Sequence, residues 1–92
     1  MDIQHDPAGK RFSTRLGSGE AYVQYEERGP ETLDLLHTIV PPAEQGKGVG
    51  SSLVRHVFEY ARERGYRIIP SCPFTGDWLR DNPEYNEVSA RS

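Results

Sequence analysis

Glycine occupies alternate positions in Gln45-Gly46-Lys47-Gly48-Val49-Gly50, directly ahead of an amphipathic segment. A glycine-rich turn at a helix entry leaves backbone N–H groups without intrahelical partners. The positive end of the helix dipole falls at the same place. The chemistry this permits is anion binding, most often of phosphate or pyrophosphate. Two common phosphate motifs fit poorly. A P-loop reads G-x-x-x-x-G-K and then Ser or Thr, whereas Lys47 is followed by Gly48. A dinucleotide fingerprint reads G-x-G-x-x-G, whereas Gly46, Gly48 and Gly50 are evenly spaced and come late in the chain.

The elements that must position this turn can be read from periodicity. Arg11 to Leu16 and Glu20 to Glu26 are strand-like and flank the turn Gly17-Ser18-Gly19, which predicts a hairpin. After Arg28-Gly29-Pro30-Glu31, a third strand spans Thr32 to Val40; its density of Leu, Ile and Val predicts that both faces are covered. Pro41-Pro42 stops it. Ser51 to Arg64 is a helix: Val49, Leu53, Val57 and Ala61 recur at helical spacing, and Val54 and Phe58 widen the stripe. Gly65 ends it. Tyr66 to Ile69 is a short strand, parallel to its predecessor if the helix is a crossover. Pro70-Ser71-Cys72-Pro73 breaks that strand, and Phe74 to Asn82 forms a short helix closed by Asn82-Pro83. Residues 1–9 and 89–92 read as flexible tails. The predicted class is α/β (α+β): an antiparallel meander followed by a β-α-β-α unit.

Composition bounds the function. Ninety-two residues make one domain with a modest core. A net charge of −3 and a pI near 5.5 argue against nucleic acid. Arg55, Arg62, Arg64 and Arg67 interleave with Glu59 and Glu63, the pattern of a solvated face. The acidic cluster Glu26, Glu27, Glu31 and Asp34 reads the same way. With Cys72 the single cysteine, and His5, His37 and His56 far apart, neither a disulfide nor a zinc site is expected. No apolar run approaches the roughly 18 residues of a membrane span, and residues 1–10 lack the core of a signal peptide. The expectation is a soluble, cytoplasmic protein whose exposed edge strands permit a homodimer.

The pattern that does fit is Q-x-x-G-x-G, met by Gln45, Gly48 and Gly50. Val40 through Gly50 resembles motif A of the GNAT superfamily of acetyl-coenzyme A-dependent N-acetyltransferases. Leu36-His37-Thr38, Val40-Pro41-Pro42, Pro70-Ser71-Cys72-Pro73-Phe74 and Asn82-Pro83-Glu84-Tyr85 are similar to its very small YjdJ-like subgroup. The resemblance runs from about Arg11 to Val88.

The resemblance implies a GNAT-like fold with a splayed parallel strand pair, acetyl-coenzyme A as cosubstrate, no metal, and an unidentified primary amine of a small molecule or protein as acceptor. Backbone groups of Gln45, Gly46, Lys47, Gly48, Val49, Gly50 and Ser51 would surround the pyrophosphate, with glycines letting the chain approach without a Cβ. Lys47 would add charge, or face solvent. Pantetheine would lie between Thr38-Ile39-Val40 and Ile69-Pro70-Ser71, pairing like an extra strand, and an N–H near Val40 would polarise the thioester carbonyl. Cys72 would serve as nucleophile or base, or as a small buried residue. His37 would deprotonate the amine, or play a structural part. Tyr85 would protonate the departing thiolate. Asn82 would hydrogen-bond the cofactor, or end its helix. Two departures stand out: the strand before motif A has no acidic residue from Leu35 to Val40, and only Gly17-Ser18-Gly19 stands where larger relatives build an acceptor pocket. Both favour the alternative of a non-catalytic module that binds coenzyme A or an acyl-coenzyme A.

Overall fold

The computed structural model describes residues 1–90. Five strands form one sheet in the order β1-β2-β3-β4-β5. Strands β1 (Gln4–Asp6), β2 (Arg11–Leu16), β3 (Gly19–Glu27) and β4 (Thr32–Ile39) are antiparallel to their neighbours, and β5 (Arg67–Ile69) runs parallel to β4. Helix α1 (Val49–Arg64) joins β4 to β5, and α2 (Pro73–Asp81) follows.

Alternation along the strands buries one face. Phe12, Thr14, Ala21, Val23 and Tyr25 are buried, whereas Arg11, Ser13, Tyr22 and Gln24 are half-buried on the other face. The helical stripe Leu53, Val54, Val57, Phe58 and Ala61 is fully buried with them. Each large apolar side chain removed from water in this way contributes about 1.5–3 kcal/mol. Gly65, at φ 71°, caps α1 through N–H bonds to Ala61 and Arg62, a conformation that glycine adopts without strain.

Part of each expected tail holds structure. Gln4–Asp6 pairs with β2, although its residues carry no strand signal. Its anchor is tertiary: the His5 ring stacks on Phe12 at 4.0 Å, and Nε2 lies 2.6 Å from the Tyr25 hydroxyl. Burial there pulls the His5 pKa below its ordinary value, helped by Arg64. At the other end Pro83–Val88 forms a 3-10 helix that buries Tyr85 and Val88. Ser89 then bridges to Ile68, and the Ala90 N–H donates to the Ile68 carbonyl at 2.7 Å. Residues 91 and 92, part of the expected C-terminal tail, lie outside the described residues.

β4 departs from expectation in a way that matters for the site. Only Leu33–Leu35 is buried on both faces; His37 and Ile39 are exposed. The parallel ladder with β5 covers Thr32↔Arg67, Leu33↔Ile68 and Asp34↔Ile69 and then ends. The last backbone link is the Cys72 N–H to the Leu35 carbonyl, 2.9 Å. Against β3, Gln24 pairs with His37 but Tyr25 pairs with Leu35, so Leu36 is an extra residue. A bulge bends its strand, and this one sits where β4 leaves β5. The two parallel strands therefore splay.

Candidate functional site

A cleft of about 520 Å³ opens beside that splay, lined by Thr38, Val40, Glu44, Gln45, Gly46, Gly48, Val49, Gly50, Ser51 and Phe74. Its size falls within the ~300–1,000 Å³ usual for small-molecule sites. Three parts of the chain build it: the bulged end of β4, the glycine turn with the start of α1, and the start of α2.

The start of α1 is bare. Gly48 precedes it at φ 82°, no side chain caps it, and its first turn holds no acidic residue. The Ser52 N–H is the first to find a carbonyl of its own helix, that of Gly48 at 3.0 Å. The N–H groups before it lack such a partner by the geometry of any α-helix. Gly46 and Gly48 both adopt positive φ, and a Cβ built on either meets nothing within 4 Å. They are glycine for conformation, and the space beside them is open.

Gly50 is glycine for a different reason from the one the motif suggests. Its φ is not positive, and an added Cβ would lie 2.8 Å from Cζ of Phe74. The absent side chain lets the Phe74 ring close on the helix start and wall the cleft. The Gln45 side chain also turns inward: its Nε2 donates to the Val40 carbonyl at 3.1 Å, tying the turn to the end of β4. Lys47 points to solvent and pairs with Glu44 at 3.5 Å. Ser18 donates to the same Glu44 carboxylate at 2.8 Å and, as the largest cause, holds its pKa below the usual range.

Cys72 occupies the N-cap of α2 and is buried. Its Sγ lies 3.7 Å from the hydroxyl of Thr38, which lines the cleft. Burial pushes the thiol pKa up, but hydrogen bonding outweighs it: the Thr75 N–H, the Thr38 hydroxyl, the Phe74 N–H and the Thr75 hydroxyl together leave it below its ordinary value. The Thr75 hydroxyl is fully buried and has no hydrogen-bond partner, so its free O–H is available to a thiolate. Removing that donor in Thr75→Val should raise the thiol pKa. At any pH below it the thiolate fraction then falls, and the midpoint of thiolate ultraviolet absorbance moves to higher pH. With a single cysteine in the chain the signal has one source. An unmoved midpoint would show that Thr75 gives the sulfur nothing.

The other candidates lie apart from this cleft. His37 sits opposite Gln24 and is exposed. It adjoins Thr38 on β4, so it points to the opposite face of the sheet. Ile39 shares that outer face and is 45% exposed. Tyr85 is buried against Phe58 and Trp78, and its hydroxyl donates to Glu59. That bond, with burial, raises the phenol pKa, which makes Tyr85 a weaker proton donor. Asn82 donates to the Trp78 carbonyl at 2.8 Å and accepts from Arg55 at 3.3 Å. The cleft thus gathers Val40, Gln45, Gly46, Gly48, Val49, Gly50 and Ser51, with Cys72 beneath Thr38, but not His37 or Tyr85.

Comparison with known sequences decides the family. A profile of the GCN5-related N-acetyl-transferase family matches residues 11–88. The chain belongs to the GCN5-related N-acetyltransferase family. It is 30% identical to protein NATD1 of Xenopus tropicalis over 83 residues, which covers 88% of this chain and 76% of that one. It is 29% identical to NATD1 of Mus musculus over 83 residues, with 88% and 76% covered. The solution NMR structure of a GCN5-like protein from Staphylococcus aureus matches at a TM-score of 0.73 with 25% identity, covering 99% of this chain and 89% of that one.

In this family member Thr38, Phe74 and Thr75 complete the site; the motif reading put Thr38 beside the pantetheine gap but gave Phe74 and Thr75 no part in it. Two signals were present. Thr38 neighbours Val40 at the strand's alternate position, and Thr75 stands three residues after Cys72, the spacing that brings an N-cap residue to the helix's first turn. Among the described residues no three His, Cys, Asp or Glu side chains converge on a possible metal position. No helix among them is long and apolar enough to cross a membrane.

Proposed function

We propose that the chain transfers an acetyl group from acetyl-coenzyme A to a primary amine of a small molecule or a protein. The observation that carries this reading is the bare start of α1, which opens into the same cleft as the splayed end of β4. Backbone N–H groups from Gly46 to Ser51 suit a diphosphate there, since anions are favoured at a helix N-terminus. The open positions at Gly46 and Gly48 leave the chain accessible, and Phe74 supplies an apolar wall. The unpaired edge of β4 beyond Leu35 suits an extended amide-bearing arm. The acyl carbonyl then falls toward Val40 and Thr38, where an N–H can favour the developing oxyanion. In the direct reaction the amine nitrogen bonds to the carbonyl carbon, the carbon–sulfur bond breaks, the amine loses a proton to solvent or base, and the departing thiolate gains one.

The setting of Cys72 supports a second route. Its thiolate would attack the thioester, take the acetyl group on Sγ and release the coenzyme A thiolate; the amine would then take the acetyl group from sulfur. Donors from Thr38, Thr75 and Phe74 favour the charged form this needs.

The test is isothermal calorimetry with coenzyme A, then acetylation of an amine library with mass detection on wild type and Cys72→Ala. Binding and turnover in both proteins supports direct transfer. Turnover with an acetyl adduct on wild type, both lost in Cys72→Ala, supports the covalent route. Binding with no turnover on any amine leaves a coenzyme A-binding module. No binding at all overturns the reading.

A further inference from the structure

Arg55 stands out among the cations near the cleft. Lys47, Arg62 and Arg64 each pair with a carboxylate. Arg55 makes no salt bridge among the described residues, and its side chain is exposed. Glu59, one turn further along its own helix face, is taken by the Tyr85 hydroxyl and pairs with Arg62 at 3.5 Å. What holds the guanidinium is neutral and long: Asn82 Oδ1 at 3.3 Å and the Tyr85 hydroxyl at 3.4 Å. It lies 5.4 Å from the centre of the Trp78 ring. This is a charge held in place with its neutralising partner missing.

Its place relative to the cleft is set by α1. Arg55 follows Ser51 by one helical turn, about 6 Å along the axis. Ser51 lines the cleft, and its Oγ accepts from the Trp78 indole at 2.9 Å. The two helices meet in successive pairs, Gly50 with Phe74, Ser51 with Trp78 and Arg55 with Asn82. The seam between them therefore leads from the cleft to Arg55. Coenzyme A differs from other nucleotide diphosphates in carrying a phosphomonoester on the ribose 3′ oxygen, next to the diphosphate.

We propose that Arg55 receives this 3′-phosphate and so selects coenzyme A over dephospho-coenzyme A. The inference rests on the coenzyme A reading of the cleft. A guanidinium offers a planar fork to phosphate oxygens. Asn82 orients that fork, and Trp78 and Tyr85 bed it without neutralising it. Lys47 is a poorer choice, since Glu44 already holds it.

The experiment is calorimetry with coenzyme A and with dephospho-coenzyme A on wild type, Arg55→Gln and Arg55→Lys. Wild type should prefer coenzyme A by about tenfold or more, the worth of a hydrogen bond to a charged group. Arg55→Gln should lose that preference by weakening coenzyme A alone, with dephospho-coenzyme A unchanged; Arg55→Lys should keep part of it. Competition on wild type between adenosine 3′,5′-bisphosphate and ADP makes the same comparison without any variant, and the bisphosphate should win. Equal affinities in wild type, or a preference that Arg55→Gln leaves intact, would overturn the assignment while the cleft still binds coenzyme A. If wild type binds neither nucleotide, the coenzyme A reading itself fails, and Arg55 with it.

Discussion

Gly48→Glu should abolish coenzyme A binding in calorimetry, while Gly48→Ala retains most of it. Both variants force a side chain onto φ 82°, at a cost of about 1–2 kcal/mol of stability. Neither meets a steric obstacle, since a Cβ at this position has nothing within 4 Å. The difference between them is charge. A carboxylate at the start of α1 would satisfy the same N–H groups that are proposed to hold the diphosphate, and would repel it. Two like charges about 4 Å apart near a protein surface interact by ~4 kcal/mol, so the expected loss exceeds about hundredfold. Equal melting temperatures with divergent affinities would locate the effect in the anion site. Unchanged affinity in Gly48→Glu would remove the glycine turn from the binding account altogether.

Phe58→Ala should be the most damaging single truncation for stability. Phe58 is fully buried on α1, with ring centroids 5.2 Å from Trp78 and 5.9 Å from Tyr85. It is where α1, α2 and the C-terminal 3-10 helix meet. Truncating a buried Phe costs about 3–5 kcal/mol. A domain of this length holds roughly 5–14 kcal/mol in total, so about a fifth or more of its stability is at stake. Urea unfolding followed by circular dichroism measures this directly. A loss below about 1.5 kcal/mol would mean that the helices hold together without this contact.

The sequence was most legible where local rules and tertiary structure agree. The alternating glycines ahead of Leu53, Val54, Val57 and Phe58 pointed to a helix start, and α1 begins at Val49. The hairpin, the parallel strand pair and the Gly65 cap followed from equally local signals. What stayed hidden depends on partners far along the chain. Gln4–Asp6 has no strand pattern and pairs because His5 finds Phe12 and Tyr25. Gly50 looked like a phosphate glycine, yet the atom it avoids belongs to Phe74. Tyr85 looked free to act as an acid until α1 brought Glu59 to its hydroxyl. The bulge at Leu36, which puts Thr38 rather than His37 on the face of Leu35, leaves no mark in a run of apolar residues.

The order in which the site's parts leave the ribosome has a biological edge. The glycine turn emerges mid-chain, but its wall comes from Phe74, and α2 is secured by Tyr85 and by the Ser89 and Ala90 link to β5. A nascent chain therefore exposes the glycine turn before the cleft around it has its wall. The wall is held once Tyr85, Ser89 and Ala90 have joined it, so a chain cut before Tyr85 would carry the turn with nothing to brace the cleft beside it.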